Sequence, residues 1–216
     1  MQETKSFEVY PLFSTPIAHA TIETDIPLSV IDNLEYYEYG DKSGFSSVDQ
    51  NILTRPEFKH LRYEIENLIN NYLFGLLKFT EGRIAHTRSW INFHKYGHLA
   101  PVHNHTNSMY SGVYYFTAPE KGGKLFFQRP NTDLTFVSST VMPLIEEHNI
   151  YNSHTFGWLP KPNDVFLFPS HLHHFTEPNL SNENRYCLAF NYFLEGPMGG
   201  NTGYVNLKVL PDDYPN

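Results

Sequence analysis

After Thr80 the chain gives up helical periodicity for short segments rich in Val, Ile, Thr, Tyr and Phe. They run at about 85–94, 102–105, 111–117, 123–128, 164–168, 185–194 and 204–210, set apart by Gly, Pro and Asn. Many short strands with turn residues between them point to an antiparallel sandwich or barrel. No helical stretches are interleaved, which counts against a parallel α/β sheet.

The first third reads differently. Residues 7–22 are extended in character, and Pro11 and Pro16 restrict them to edge strand or loop. Asp25 is placed to cap a short helix running to about Tyr37, with Pro27 in its first turn. Residues 40–47 are polar and rich in Gly and Ser, a loop composition. Thr54-Arg55-Pro56-Glu57 has the form of a capping box. Behind it, Phe58, Leu61, Ile65, Leu68, Ile69, Tyr72, Leu73 and Leu76 recur with helical spacing, predicting one long helix with one buried face. The 216 residues fit one domain. Its residues 1–84 form an N-terminal strand and supporting helices, and 85–216 a β core. The weakly patterned stretch 129–161 is long enough to read as a lid or binding loop.

Composition narrows the function. With 16% aromatic and 18% charged residues the chain is not of the disordered type. A formal net charge of -8 argues against a nucleic-acid partner, which needs a basic face. No apolar run reaches membrane-spanning length, and the N-terminus lacks the pattern of a signal peptide. The expected setting is cytoplasmic. A single cysteine, Cys187, excludes an internal disulfide framework and a thiolate metal cage.

Histidine is the unusual residue: there are 12, concentrated at 86–105 and 171–174. In Pro101-Val102-His103-Asn104-His105, a strand conformation places His103 and His105 on one face. Two neutral imidazoles on one face are a good start for a divalent transition metal. A third ligand from the cluster His171, His173 and His174 would complete a facial set with open positions. Arg185 opens an alternating strand on which Arg185, Cys187, Ala189 and Asn191 share one face, with Tyr186, Leu188, Phe190 and Tyr192 on the other. An inward Arg calls for an anion, and its fork suits a carboxylate supplied by a ligand or by the protein itself.

In order and spacing, this arrangement resembles the Fe(II)- and 2-oxoglutarate-dependent oxygenases, in particular the prolyl-hydroxylase-like group. The resemblance covers roughly residues 86–194. It rests on His103-Asn104-His105, then Ser111-Gly112-Val113-Tyr114-Tyr115-Phe116, Gly122-Gly123-Lys124-Leu125-Phe126-Phe127, Phe168-Pro169-Ser170 with His174, and Arg185. It implies a mainly β (α+β) fold, a double-stranded β-helix or cupin-like jelly roll with N-terminal supporting helices. It also implies Fe(II) as cofactor, 2-oxoglutarate as co-substrate and O2 as oxidant. His103 matches the family's first His and His174 its distal His. His105 stands where the family usually has a carboxylate, so the metal set becomes His103, His105 and His174. By the same resemblance Arg185 and Tyr115 bind the far carboxylate of 2-oxoglutarate, and Asn92 lines the co-substrate end. His94, which alternates with Trp90 and Asn92, shares their cavity-facing side.

The activity implied is hydroxylation of a small-molecule, peptide or protein substrate, with 2-oxoglutarate split to succinate and CO2. Family helices of the N-terminal kind buttress the sheet and often support dimerisation, so a homodimer is one assembly the chain is open to. Two other readings stay open: a three-His cupin-like metalloenzyme that does not use 2-oxoglutarate, and a non-catalytic jelly-roll binding module.

Overall fold

The computed structural model describes residues 7–129, 144–200 and 203–209. In chain order its elements are β1 (Ala18–Thr21), α1 (Leu28–Asp32), β2 (Tyr36–Glu38), β3 (Phe45–Ser47), α2 (Lys59–Asn70), β4 (Arg83–His94), β5 (Tyr110–Tyr115), β6 (Leu125–Gln128), β7 (Thr155–Trp158), β8 (Asp164–Pro169), β9 (His174–Thr176), β10 (Arg185–Met198) and β11 (Val205–Leu207). Every pairing between these strands is antiparallel.

Two sheets result. The large one runs β1-β8-β5-β10-β4-β3-β2, with β11 attached to β10; the small one runs β7-β6-β9. His103 lengthens the small sheet by a bridge to β9. Its N–H donates to the His174 carbonyl at 3.0 Å, and the His174 N–H returns the bond at 2.9 Å. The result is the two-sheet antiparallel architecture of a jelly roll.

Alternation on β10 divides the core. Tyr186, Leu188, Phe190 and Tyr192 join Leu61, Ile65 and Ile69 of α2 in one apolar cluster, so the helix covers the outer face of the large sheet. Cys187 joins Tyr115, Leu125, Phe127, Phe166, Phe168 and Leu172 in a second cluster that draws residues from both sheets. Gly112 has a packing reason. A Cβ built on it would lie 2.2 Å from Phe190 Cζ and 2.6 Å from the Phe166 carbonyl oxygen.

The N-terminal region departs from expectation in several places. Helix α1 ends at Asp32, and residues 36–38 and 45–47 form a hairpin that extends the large sheet. Backbone pairing with β4 thus overrides a loop-like composition. Thr54 does not cap the long helix; its hydroxyl donates to the Asn51 carbonyl at 2.7 Å. Arg55, which precedes a proline, is extended, and the chain passes through two short 3-10 turns before α2 begins at Lys59. The helical path then continues through a π-type segment, Asn71–Leu76. β1 is an edge strand, as the flanking prolines predict. Part of the 129–161 connection lies outside the described residues, and its end forms β7.

Candidate metal and co-substrate site

Three histidines meet between the sheets. A ligand nitrogen from each of His103, His105 and His174 lies within 4.8 Å of the other two. Each is positioned separately. His174 begins β9, His103 bridges to it, and the His105 N–H donates to the Ser170 carbonyl at 3.0 Å. The H-x-H segment is therefore not a continuous strand, and two backbone anchors replace the alternation predicted for it. Ser170 closes the Phe168-Pro169-Ser170 turn. Its hydroxyl is tied to Ser111 at 2.8 Å and to Ser108 at 2.9 Å.

The ring orientations are set by carbonyls. His103 Nδ1 lies 2.8 Å from the Pro101 oxygen and His174 Nδ1 lies 3.0 Å from the Leu172 oxygen. A carbonyl can only accept, so each Nδ1 carries the hydrogen and each Nε2 carries the lone pair. Burial holds both inner rings neutral: His174 is pushed down to about 3 and His105 to about 4, with His103 adding a smaller repulsion in each case. Neutral imidazoles with directed Nε2 lone pairs are the form that binds metal. Nε2 of His105 and Nε2 of His174 are 3.3 Å apart. Two nitrogens each about 2.1 Å from one ion at right angles would be about 3.0 Å apart, so the spacing suits neighbouring ligands of a shared ion. His171 and His173 are exposed and stand outside the group.

Arg185 lies deeper, 1% exposed, at the start of β10. Its Nη1 donates to the Gly122 carbonyl and, at 3.3 Å, to that of Glu177; its Nη2 donates to Thr176 Oγ1 at 2.8 Å. Its Nε is buried without an acceptor, and among the described residues no carboxylate pairs with it. Other buried polar atoms share this condition: Asn92 Oδ1 and His98 Nδ1 have no hydrogen-bond partner. His94 faces Arg185 across the β4–β10 register. Burial pushes it down to about 3, and the Arg185 charge adds to the effect.

Tyr115 lies in the inner cluster with Cys187, its β10 partner. Burial raises its phenol, while Arg185 acts in the opposite direction. Tyr114 points the other way, donating to the Ile22 carbonyl at 3.0 Å and to Asn163 Oδ1 at 2.7 Å. Asn92, His103 and His105 line a cavity of about 450 Å³ together with Tyr37, Tyr39 and Trp90. His94 is not among its lining residues; it lies behind, against Arg185 and Gly44. A second groove of about 510 Å³ lies away from the histidines, and its Arg55 is already held by Asp49 and Glu57, each at 3.6 Å.

Sequence reasoning did not find Thr176 and the Gly122 carbonyl as supports of Arg185, nor Tyr39 as a cavity wall. Gly122-Gly123 did carry a signal. Gly123 has φ +85°, and a Cβ there would lie 2.6 Å from the Glu177 carbonyl oxygen, so the turn needs glycine to pass beside the Arg185 pocket.

A jelly roll with three imidazoles converging between its sheets defines the class of cupin-like metal-binding barrels. Comparison with known proteins makes this specific. Residues 88–191 match the family model described as "Putative 2OG-Fe(II) oxygenase". Over that stretch, a little under half of the chain, the sequence is similar to the 2OG-Fe(II) oxygenases. No curated protein matches the sequence. Solved structures carry the fold. A Pseudomonas putida prolyl-4-hydroxylase is similar at TM-score 0.56 and 13% identity, over 86% of this chain and 96% of that one. The non-heme alpha ketoglutarate dependent epimerase SnoN from nogalamycin biosynthesis gives 0.59 and 14%, over 83% and 78%. HygX from Streptomyces hygroscopicus, crystallised with nickel and 2-oxoglutarate, gives 0.53 and 12%, over 82% of each chain. Among the described residues no helix is long and apolar enough to cross a membrane.

Proposed function

We propose that the chain is a hydroxylase-type Fe(II)- and 2-oxoglutarate-dependent oxygenase whose iron is held by His103, His105 and His174. The observation that carries this reading is a pair of features in one fold. A ligand nitrogen from each of His103, His105 and His174 lies within 4.8 Å of the other two, and the buried guanidinium of Arg185 has no carboxylate partner among the described residues. A buried unpaired charge costs several kcal/mol, so an inward Arg without a protein carboxylate calls for a ligand carboxylate. 2-Oxoglutarate offers one to Arg185 and a 2-oxo acid end to the metal.

Fe(II) so bound supplies oxygen activation coupled to cleavage of 2-oxoglutarate into succinate and CO2. The chain's own residues bind and orient. Arg185 takes the far carboxylate, held in place by Gly122, Thr176 and Glu177. Tyr115, whose phenol burial keeps protonated, is the partner donor, and Asn92 lines the co-substrate end. Phe127, Phe168 and Trp158 keep water from the inner side. Residues 85–216 are then the catalytic core. Residues 1–84 supply the supporting helix and, through Tyr37 and Tyr39, one wall of the cavity. The cavity volume suits a small molecule or a single side chain of a peptide. A reducing compartment such as the cytoplasm suits both Fe(II) and the free thiol of Cys187. The exposed face of α2 leaves room for a homodimer.

The test is succinate formation by purified protein. It should require both Fe(II) and 2-oxoglutarate and disappear in His103→Ala and His174→Ala. The three-His cupin-like reading has one observation in its favour, the imidazole of His105 in place of an acid. Arg185→Ala separates the two, since it removes 2-oxoglutarate binding in the oxygenase and leaves metal chemistry intact in the alternative.

A further inference from the structure

His105 is held differently from the other two histidines of the cluster. His103 and His174 exchange reciprocal backbone bonds, and a carbonyl latches each Nδ1. Among the described residues no carbonyl latches the His105 ring, which packs beside Trp90 at 5.6 Å between centroids. What ties His105 is its backbone N–H, which donates to the Ser170 carbonyl at 3.0 Å.

Ser170 is fixed at its other polar groups. Its N–H donates to the Met109 carbonyl at 2.9 Å, and its hydroxyl lies between Ser111 Oγ at 2.8 Å and Ser108 Oγ at 2.9 Å. A count of hydrogens gives the direction of these bonds. Ser111 donates its one hydroxyl hydrogen to Asn191 Oδ1 at 2.7 Å. Ser108 donates its own to the carbonyls of Tyr110 and Tyr192, at 3.1 and 3.2 Å. Both therefore accept from Ser170, which is clamped from two sides. Ser111 and Ser170 are fully buried, so water cannot replace a bond lost there. The chain of bonds runs from Asn191 on β10 through Ser111 on β5 to the turn after β8, and ends on the carbonyl that holds His105. It joins the first residue of Ser111-Gly112-Val113-Tyr114-Tyr115 to the last of Phe168-Pro169-Ser170, neither of which the co-substrate reading uses.

We propose that Ser111 and Ser108 are positioning residues for His105: by clamping Ser170 they aim the third imidazole at the metal. This rests on the three-histidine reading of the same site. Loss of either hydroxyl frees Ser170 on one side and lets its carbonyl turn. The ligand that moves is the one with no latch on its own ring. Outer partners of this kind set ligand orientation, and removing one typically costs about 10- to 100-fold in metal affinity.

The test uses the full untagged chain. Pulsed electron paramagnetic resonance of the Cu(II)-loaded protein counts coordinated imidazoles, and titration calorimetry reads Ni(II) affinity. The unmodified chain should show three imidazoles. Ser111→Ala and Ser108→Ala should each show two and bind Ni(II) about tenfold or more weakly. Ser108→Ala, at a half-buried position, decides alone if Ser111→Ala does not fold. Tyr114→Phe removes the hydroxyl that donates to Ile22 and Asn163 from the other side of the same strand. It should keep three imidazoles and the Ni(II) affinity of the unmodified chain, whatever it does to the urea midpoint. If the serine variants keep three imidazoles and full affinity, the positioning role is wrong and the three-histidine site stands. If Tyr114→Phe weakens Ni(II) binding as much as they do, the effect is a general loss of packing and the inference fails. If the unmodified chain shows fewer than three imidazoles, the reading of the site falls with the inference.

Discussion

Nε2 of His105 lies 3.3 Å from Nε2 of His174, and the two rings are parallel to within 3°. His174 Nδ1 is occupied by the Leu172 carbonyl, so the lone pair of its Nε2 faces His105 across that gap. Without a cation, only a hydrogen on His105 Nε2 makes the approach favourable. With one, both nitrogens turn the same chemistry on the ion.

Replacing one of these rings should abolish metal binding, and replacing their neighbours should not. His103→Ala and His174→Ala each remove a converging nitrogen and should reduce bound Ni(II) from one ion per chain to none, read by metal analysis after dialysis. His171→Ala and His173→Ala alter exposed side chains outside the group and should retain one ion per chain.

Arg185→Ala should weaken 2-oxoglutarate binding by at least about thirtyfold. Truncating one partner of a buried charged pair costs about 2 kcal/mol or more. Titration calorimetry of the Ni(II)-loaded protein reads it. Arg185→Lys should recover little, because an ammonium cannot serve Gly122, Thr176 and a carboxylate in one plane.

His94 should make stability fall in acid. Its folded-state value is about 3 against about 6.5 in the unfolded chain, so on acidification the unfolded state takes up a proton that the native state refuses. The stability it contributes is present above about pH 6.5 and is lost progressively as pH falls toward 3, at up to about 1.4 kcal/mol per pH unit. Urea unfolding at pH 7 and pH 5 should show a larger loss for the unmodified chain than for His94→Gln. Equal losses in both would show that His94 is not the group responsible.

Gly112→Ala should destabilise by about 1–3 kcal/mol, the usual range for overpacking. The new methyl would meet the Phe190 ring and the Phe166 carbonyl where β5 crosses between β8 and β10. A lowered urea midpoint with an unchanged slope is the expected signature.

The alternation on β10 was readable because period-2 patterning reports two different environments. Arg185 and Cys187 face inward while Tyr186 and Leu188 face α2. The same parity on β5 sends Tyr115 to the inner cluster and Tyr114 to the side of Ile22 and Asn163. β9 was not readable as a strand, since three residues carry no periodicity, and its histidine reads equally well as turn or ligand. The β2–β3 hairpin was hidden because its Gly- and Ser-rich segment is stabilised by pairing with β4, a partner about 50 residues away. Thr54-Arg55-Pro56-Glu57 misled in the opposite direction: the motif is present, but proline forces the preceding Arg out of helical geometry. Thr176, which holds Arg185, carries no sequence signal, since its role depends on where two sheets meet.

The most direct measurement is an anaerobic crystal structure of the chain with Fe(II) and 2-oxoglutarate. The account predicts iron bound by Nε2 of His103, His105 and His174, with the far carboxylate of 2-oxoglutarate on Arg185. Iron held without His105, or a co-substrate carboxylate placed away from Arg185, would contradict it.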